Sequence, residues 1–462
     1  MPEPLADPTS PAKIDLVRDA MDRALTYIGS VRDQRVSPPA AAVAALDRLT
    51  SDLPDGPGDP HAVVAQLDEI GSPATMRSTG GRYFGFVNGG TEPVALAAAM
   101  LVAAWDQNAA LPIMSPIASR LDTIAARWVL DALGLPATAT AAFCSGASIA
   151  NLTCILAARD ALLARAGWDV DRDGLFGAPP INVVMSEEIH IAVRRAVRVA
   201  GIGAAQISII PTDDCGRARA DALPPLDDMS LVLLQAGNVN TGHCDPFDAI
   251  IPAVHAAGGW VHVDGAFGLW AAAAPTLAHH VAGVERADSW ATDAHKWLNA
   301  TYDGGVAICS RGADLRRSMS IAAAYVASDD DRALMQLGLQ MSQRARAVEV
   351  WAILAAKGRS GLAEMIERPS RLAAVLADRL VAAGIELLAP VALNQALVAF
   401  GDDDTTDAVL AGVQADGTAW AGGTSWKGRR AMRLSVSDTS TTIDDIERAA
   451  AAIIAAHRAV RG

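Results

Sequence analysis

No apolar run in this 462-residue chain reaches the ~18 residues expected of a membrane-spanning helix; the longest, Pro93–Trp105, stops short. The N-terminus, Met1-Pro2-Glu3-Pro4-Leu5-Ala6-Asp7, is acidic and lacks an apolar h-region. No signal peptide is therefore expected, and the protein is expected in the cytoplasm with no membrane partner. Cysteine is scarce: Cys144, Cys154, Cys215, Cys244 and Cys309 are odd in number and include no C-x-x-C pair. Both a disulfide framework and a structural zinc site are thereby disfavoured. There is no H-E-x-x-H helix or Cys/His cluster, so His262, His279, His280 and His295 make a poor case for a metal enzyme and no metal is expected. Positive charge is also in deficit. The 38 Lys and Arg face 52 Asp and Glu, a net charge of -14 that repels phosphate backbones and argues against a nucleic-acid partner. No internal repeat is visible.

With 51% apolar and 19% charged residues, the composition is that of a globular protein, and the length suits two or three domains. Residues 1–75 read as an N-terminal helical arm, broken at Ser37-Pro38-Pro39 and at Pro54-Asp55-Gly56-Pro57-Gly58. Over 76–344 short apolar runs at 181–185, 206–210, 231–235, 260–263, 290–292 and 306–309 alternate with helical stretches such as 147–165, 189–200 and 247–257. Apolar runs without alternation suit strands buried on both faces. Repeated βα units then imply an α/β domain with a mainly parallel sheet between helices. Residues 345–462 read as a smaller α+β domain, with a helix over 348–356 ending near Gly358 and another over 371–383. Strands are expected at 385–388, 396–400 and 432–436. The last helix is expected to open with the capping-box spacing Thr441-x-x-Asp444.

Four short segments carry chemistry. In Ser289-Trp290-Ala291-Thr292-Asp293-Ala294-His295-Lys296-Trp297-Leu298-Asn299, a lysine follows a strand in apolar and aromatic company. Desolvation there would favour the neutral, nucleophilic amine, able to form an imine with an aldehyde. The strand Trp260-Val261-His262-Val263 ends in Asp264, followed by the small residues Gly265 and Ala266, thirty-two residues before the lysine. Ligands of open α/β sheets bind at such carboxyl ends. Phe143-Cys144-Ser145-Gly146-Ala147-Ser148 opens a helical run, and free N–H groups at a helix start suit a phosphate. His190 follows the strand ending at Met185 and could lie flat on a ring. Taken singly, each has an ordinary reading: a lysine lying along Trp297, an aspartate or serine capping a turn, a structural histidine.

Together and in this order, the segments resemble the group II pyridoxal-phosphate (PLP) dependent decarboxylases, the family of the aromatic-amino-acid and glutamate decarboxylases. The resemblance rests on His262-Val263-Asp264-x-Ala266-Phe267-Gly268 and Asp293-x-His295-Lys296-Trp297-Leu298. Supporting matches are Met114-Ser115-Pro116 with Leu121-Asp122, Gly237-x-x-x-Thr241-Gly242-x-x-Asp245-Pro246, and the strand bearing Arg433 and Leu434. It implies fold type I, with a seven-stranded mainly parallel sheet, a homodimer sharing its active sites, and an amino-acid substrate. It also implies residue roles. Lys296 forms a Schiff base with PLP, Asp264 pairs with the ring nitrogen, His190 stacks on one ring face and Ala266 packs on the other. Ala147, Ser148 and His295 bind or border the phosphate, with Asp293 beside them. Arg433 stands near the substrate carboxylate, and Tyr83, Phe84, Phe86 and Asn88 match a stretch lining the substrate pocket.

The match has departures. Gly237-Asn238-Val239-Asn240 replaces the Gly-Thr-Thr of the decarboxylases. The loop that carries a catalytic tyrosine in many relatives is short here, and its only tyrosine, Tyr325, matches a different position. Gln343-Arg344 replaces an Arg-Arg pair. The expected reaction is α-decarboxylation of an L-amino acid, with Cα–Cβ cleavage, transamination or cofactor binding without turnover as alternatives. The distinctive Trp420-Ala421-Gly422-Gly423-Thr424-Ser425-Trp426-Lys427-Gly428-Arg429 is expected either to close the pocket or dimer interface, or to be a packed hairpin.

Overall fold

The computed structural model describes residues 11–49, 52–320 and 332–462. Seven strands, β1 (Thr140–Cys144), β2 (Asn182–Ser186), β3 (Ile207–Ile210), β4 (Ser230–Gln235), β5 (Trp260–Asp264), β6 (Ser289–Asp293) and β7 (Gly305–Cys309), form one sheet in the order β1-β7-β6-β5-β4-β2-β3. Only β7 runs against its neighbours. Alternate residues of one strand feed two separate cores. Val232 and Leu234 of β4 pack on one face, Leu231 and Leu233 on the other. This two-sided burial, about 1.5–3 kcal/mol per large aliphatic side chain, is why these strands read as unbroken apolar runs. β1 is the strand that the sequence pattern misses. Thr140-Ala141-Ala142-Phe143-Cys144 has weak strand propensity, and its pairing along the whole of β7 overrides that.

The helix Ala147–Arg165 is long and apolar enough, by length and composition, to cross a membrane, a run the sequence reading passed over. It is mostly buried inside the protein, where it packs against β6, β7 and the helices Ile191–Val199 and Gly312–Met319.

A second sheet has the antiparallel order β10-β11-β9-β8, from β8 (Glu386–Leu387), β9 (Gln395–Ala399), β10 (Gly422–Trp426) and β11 (Arg429–Ser435). The segment 420–429 is thus a hairpin, closed by Lys427 and Gly428, both at positive φ (47° and 80°) as a two-residue turn requires. The helix expected to end near Gly358 does so: Gly358 (φ 59°, ψ −171°) is non-helical and kinks the stretch Ala347–Ala382, whose second arm begins well before the expected residue 371. Its Val350, Ile353 and Ile366 pack with the large sheet, and its Leu372, Leu376 and Leu380 with the small one. The core therefore changes hands near residue 370 rather than at 345. The final helix, Ile443–Arg461, is capped one residue later than its spacing suggests. Thr442 and Asp445 exchange the reciprocal bonds, because Thr441 donates to the Gly81 carbonyl (2.9 Å) and Asp445 also holds Arg32 (2.6 Å).

Candidate active site

The parallel strands end on one edge, and the loops after β1, β2, β5 and β6 enclose a cleft of ≈ 310 Å³ there, a size suited to a small ligand. Its walls include Ala147, Ser148, His190, Asp264, Ala266, Asp293, His295 and Lys296. Eight residues from four sequence segments are brought together.

Lys296 lies in the tight connection between β6 and β7. Its neighbours Trp297 and Leu298 are fully buried in the large core, which turns the lysine the other way. Trp297 packs against Phe267 and is no shelf for the lysine chain. The apolar pocket expected around the amine is not there either. Nζ stands 3.1 Å from Asp293 Oδ2, so the ammonium has a counter-charge. Asp293 is itself fixed by its backbone, its N–H donating to the Ala266 carbonyl at 2.9 Å.

Asp293 also reaches the helix start. Its Oδ1 accepts the Ala147 N–H at 2.5 Å, so that donor is already spent on a carboxylate and Ala147 borders the cleft without offering its N–H. Ser148, exposed at the second helical position, lies where an N–H has no intrahelical partner. The turn depends on Gly146 at φ 146°, where a Cβ would stand 3.2 Å from His295 Cε1 and 3.3 Å from Asp293 Oδ1. His295 is oriented by Nδ1, 2.8 Å from the Gly304 carbonyl, and its ring lies 4.3 Å from that of Tyr302.

Asp264 ends β5 almost wholly buried, and Oδ1 accepts the Ala266 N–H at 3.2 Å. It therefore caps the turn and faces the cleft at once. His190 likewise has both roles. Its Nδ1 accepts from the Ala192 N–H (3.3 Å), which caps a helix and assigns the neutral ring's proton to Nε2. Burial pushes its pKa below the usual histidine value. Lys296 and Arg433 reinforce that, and Asp264 and Asp293 oppose it.

Arg433 does not line the cleft, but its charge acts on His190. The guanidinium is largely buried, and burial pulls its pKa down. Nη1 donates to the Val239 carbonyl (3.2 Å), and buried Nε has no hydrogen-bond partner. Among the described residues no carboxylate stands within ion-pair distance of it. Of the stretch expected along the substrate pocket, only Asn88 lines the cleft. Phe84 is 1% exposed inside the small-domain core, because its backbone bonds to Trp420 and Ser435 turn the ring inward. Tyr83 stacks on Trp420 (5.0 Å, 13°), and Phe86, at φ 53°, leans on the same indole from the exposed side (5.4 Å). The hairpin tryptophan is thus wedged between two rings of the N-terminal segment. Tyr325 lies outside the described residues.

The wall also contains Ser145 and Gly146 of the helix-opening segment, and Ile149, Asn151, Ala192 and Tyr302, which had no clear sequence signal. Asn151 bonds His262 Nε2 at 2.8 Å through Oδ1 and leaves its buried Nδ2 without a protein partner. His262 is fully buried, its pKa pushed down to about 3 by that burial, and its Nδ1 meets Ser289 Oγ at 2.9 Å. Among the described residues no group of three or more His, Cys, Asp or Glu is placed to hold a metal ion. An amine, a buried carboxylate, a histidine face, a helix start and an unpartnered amide donor around one cleft fit a flat, phosphorylated aldehyde.

A family model for the pyridoxal-dependent decarboxylase conserved domain matches residues 46–401. The chain belongs to this family. It is a PLP-dependent amino-acid decarboxylase, a carboxy-lyase. The family sequence similarity is long but moderate. The aromatic-L-amino-acid decarboxylase of Bacillus atrophaeus is 25% identical over 367 residues, covering 77% of this chain and 74% of that one. Tryptophan decarboxylase 1 of Oryza sativa subsp. japonica is 27% identical over 422 residues, covering 84% and 81%. In fold, the decarboxylase superposes on the crystal structure of Oryza sativa TDC with PLP and tryptamine at a TM-score of 0.90, with 21% identity over 99% of this chain and 100% of that one. A Rhodiola rosea 4-hydroxyphenylacetaldehyde synthase shares the same fold, at a TM-score of 0.85 and 18% identity over 98% and 99% of the two chains.

Proposed function

We propose that this decarboxylase removes the α-carboxylate of an L-amino acid, with Lys296 anchoring PLP and Arg433 receiving the substrate carboxylate. One observation carries the reading: Arg433 is a largely buried guanidinium without an anion, next to a cleft that already holds an amine and two carboxylates. A buried cation without a partner is costly, and a substrate carboxylate would relieve that cost through the guanidinium fork. Asp264 would face the ring nitrogen. His190 and Ala266 would flank the ring. Ser148, the 147–165 helix start and His295 would meet the phosphate, with Ala147 and Asp293 at its border. PLP, when bound, supplies the electron sink for the pair left on Cα. The neutral His190 offers an Nε2–H into the cleft, and the Asp293 carboxylate holds the Lys296 ammonium until the amine is needed.

The reaction assay is direct. PLP-loaded protein is incubated with pooled amino acids, and CO₂, amine, aldehyde and keto acid are measured separately. Matching CO₂ and amine are expected; keto acid without CO₂ overturns the proposal in favour of transamination. For Arg433→Met, kcat/KM should fall about 10²-fold, from the ~1.5–3 kcal/mol of a charged hydrogen bond. Fold stability should hold or rise, since an unpaired buried charge is removed. A structural arginine would show the reverse, with lost stability and KM unchanged.

The assembly proposed is a homodimer. The helix Pro11–Ser30 has no buried residue, and its Ile14, Val17, Leu25 and Ile28 are all at least 42% exposed. It borders an apolar groove of ≈ 850 Å³ that also contains Val64, Leu67, Leu96 and Met100. So large an apolar face is unusual on a monomer, and a second copy would cover it. Sedimentation should give a dimer, and the double change Leu25→Asp, Ile28→Asp should shift it toward monomer. A monomeric unaltered protein at micromolar concentration sinks this part.

A further inference from the structure

We infer that Asn299 is a positioning residue that sets the spacing between Lys296 and Arg433, by stapling the main chain of the lysine loop to the small domain. The inference rests on the roles proposed above for those two residues.

Asn299 is fully buried, three residues after Lys296, at φ 55°, a left-handed conformation uncommon outside glycine. All its side-chain bonding capacity is spent on three separate pieces of chain. The two Nδ2 hydrogens are shared among the carbonyls of Lys296 (3.0 Å), Trp297 (3.1 Å) and Ser437 (2.9 Å). Oδ1 accepts from the Gly90 N–H (2.8 Å) and the Thr439 N–H (3.0 Å). The N-terminal segment is pressed against the same point. A Cβ on Gly89 would fall 2.0 Å from the Lys296 carbonyl oxygen, so only glycine lets the two backbones lie this close.

The small-domain end of the staple leads to Arg433. Ser437 and Thr439 follow directly on β11, and β11 carries Arg433 while paired on both sides, to β10 and β9. A shift at 437–439 would therefore carry the guanidinium with it. The staple also has backing. Thr439 Oγ1 donates to Glu92 Oε1 (2.8 Å), and Glu92 Oε2 pairs with Lys357 Nζ (2.8 Å), so the N-terminal segment, the kinked long helix and the 437–439 loop meet at one asparagine. Only an amide gives both donors and acceptors here. An aspartate would set a carboxylate against three carbonyls, and a glycine would keep the backbone angle while deleting every one of these side-chain bonds.

The test uses Asn299→Gly, Arg433→Met and their combination in the full-length protein. Asn299→Gly should still be labelled at Lys296 on borohydride reduction. Its KM for the decarboxylated amino acid should rise and kcat/KM should fall about 10²-fold, the scale of a reacting group misplaced by about 1 Å. Once Arg433 is gone, the second change should cost little more, because the two act through one contact. Additive losses, or an unchanged KM in Asn299→Gly, overturn the inference. A second readout needs no cofactor. In the apo-protein, hydrogen exchange at the Gly90 and Thr439 amides should accelerate in Asn299→Gly, and unchanged exchange also overturns it. If Asn299→Gly does not fold, Thr439→Val should move the same quantities in the same direction with smaller size. If the unaltered protein takes no label at Lys296, the cofactor reading fails, and the exchange result judges the staple by itself.

Discussion

Lys296→Ala is expected to abolish the borohydride-reducible chromophore completely and to lower turnover on the order of 10⁴-fold or more, the scale seen when a covalent catalytic group is deleted. The sequence makes the assay clean, since the chain has only four lysines: Lys13, Lys296, Lys357 and Lys427. Lys357 is paired with Glu92 (2.8 Å) and Lys427 with Asp214 (3.2 Å), far along the chain from the cleft loops. Reduction of the unaltered protein followed by peptide mapping should therefore place the label on the 293–299 segment. Label on Lys357 or Lys427, or a chromophore surviving in Lys296→Ala, overturns the assignment. The variant should still fold. Lys296 is partly exposed (20% of its side chain), and the alanine would leave Asp293 its bond to the Ala147 N–H.

Asp264→Asn should bind PLP nearly as well as the unaltered protein and yet turn over far more slowly. The amide keeps an oxygen for the Ala266 N–H, so the turn after β5 is preserved. What disappears is the negative charge. A neighbouring carboxylate holds a cation's pKa up by about 1–3 units, so its removal should cost roughly 10- to 10³-fold in kcat at neutral pH. The sign is testable. Without the carboxylate the ring nitrogen protonates only at lower pH, so kcat of the variant should rise as pH falls, over a range where the unaltered enzyme is flat. Equal kcat and parallel pH profiles would show that Asp264 only caps its turn. The same change removes the Asp264 charge that holds the His190 pKa up, so His190 is pushed further below the usual histidine value, opposite in sign to a new protonation at low pH.

Much of the architecture was legible because two-sided burial writes itself into sequence. β2 to β7 fall on the apolar runs, and the 147–165 helix falls on its periodicity. Errors arose where a tertiary contact outweighed local preference. β1 is alanine-rich but paired along β7. The second arm of the stretch kinked at Gly358 begins well before residue 371 because its Leu362, Met365 and Ile366 still pack in the large core. The cap of the last helix sits at Thr442 because Thr441 and Asp445 have long-range partners. Phe84 looked like a pocket residue by its place in the stretch 83–88, yet backbone bonds to the small sheet face it into the core.

The sequence by itself determined the family, the cofactor and which side chains stand at the strand ends: Lys296, Asp264, His190, Asp293 and the Gly146–Ser148 turn. Those follow from order along the chain, since the first four sit within a few residues of an apolar run and the turn opens a helix legible from its periodicity. Only the tertiary structure decided the partnerships: the Lys296–Asp293 ion pair, the Asp293 carboxylate on the Ala147 N–H, the solitude of Arg433 and the saturation of Asn299. Their partners lie up to 209 residues apart in sequence. Distance between such groups is set by how the two sheets and the long kinked helix pack, and residue order carries no record of it.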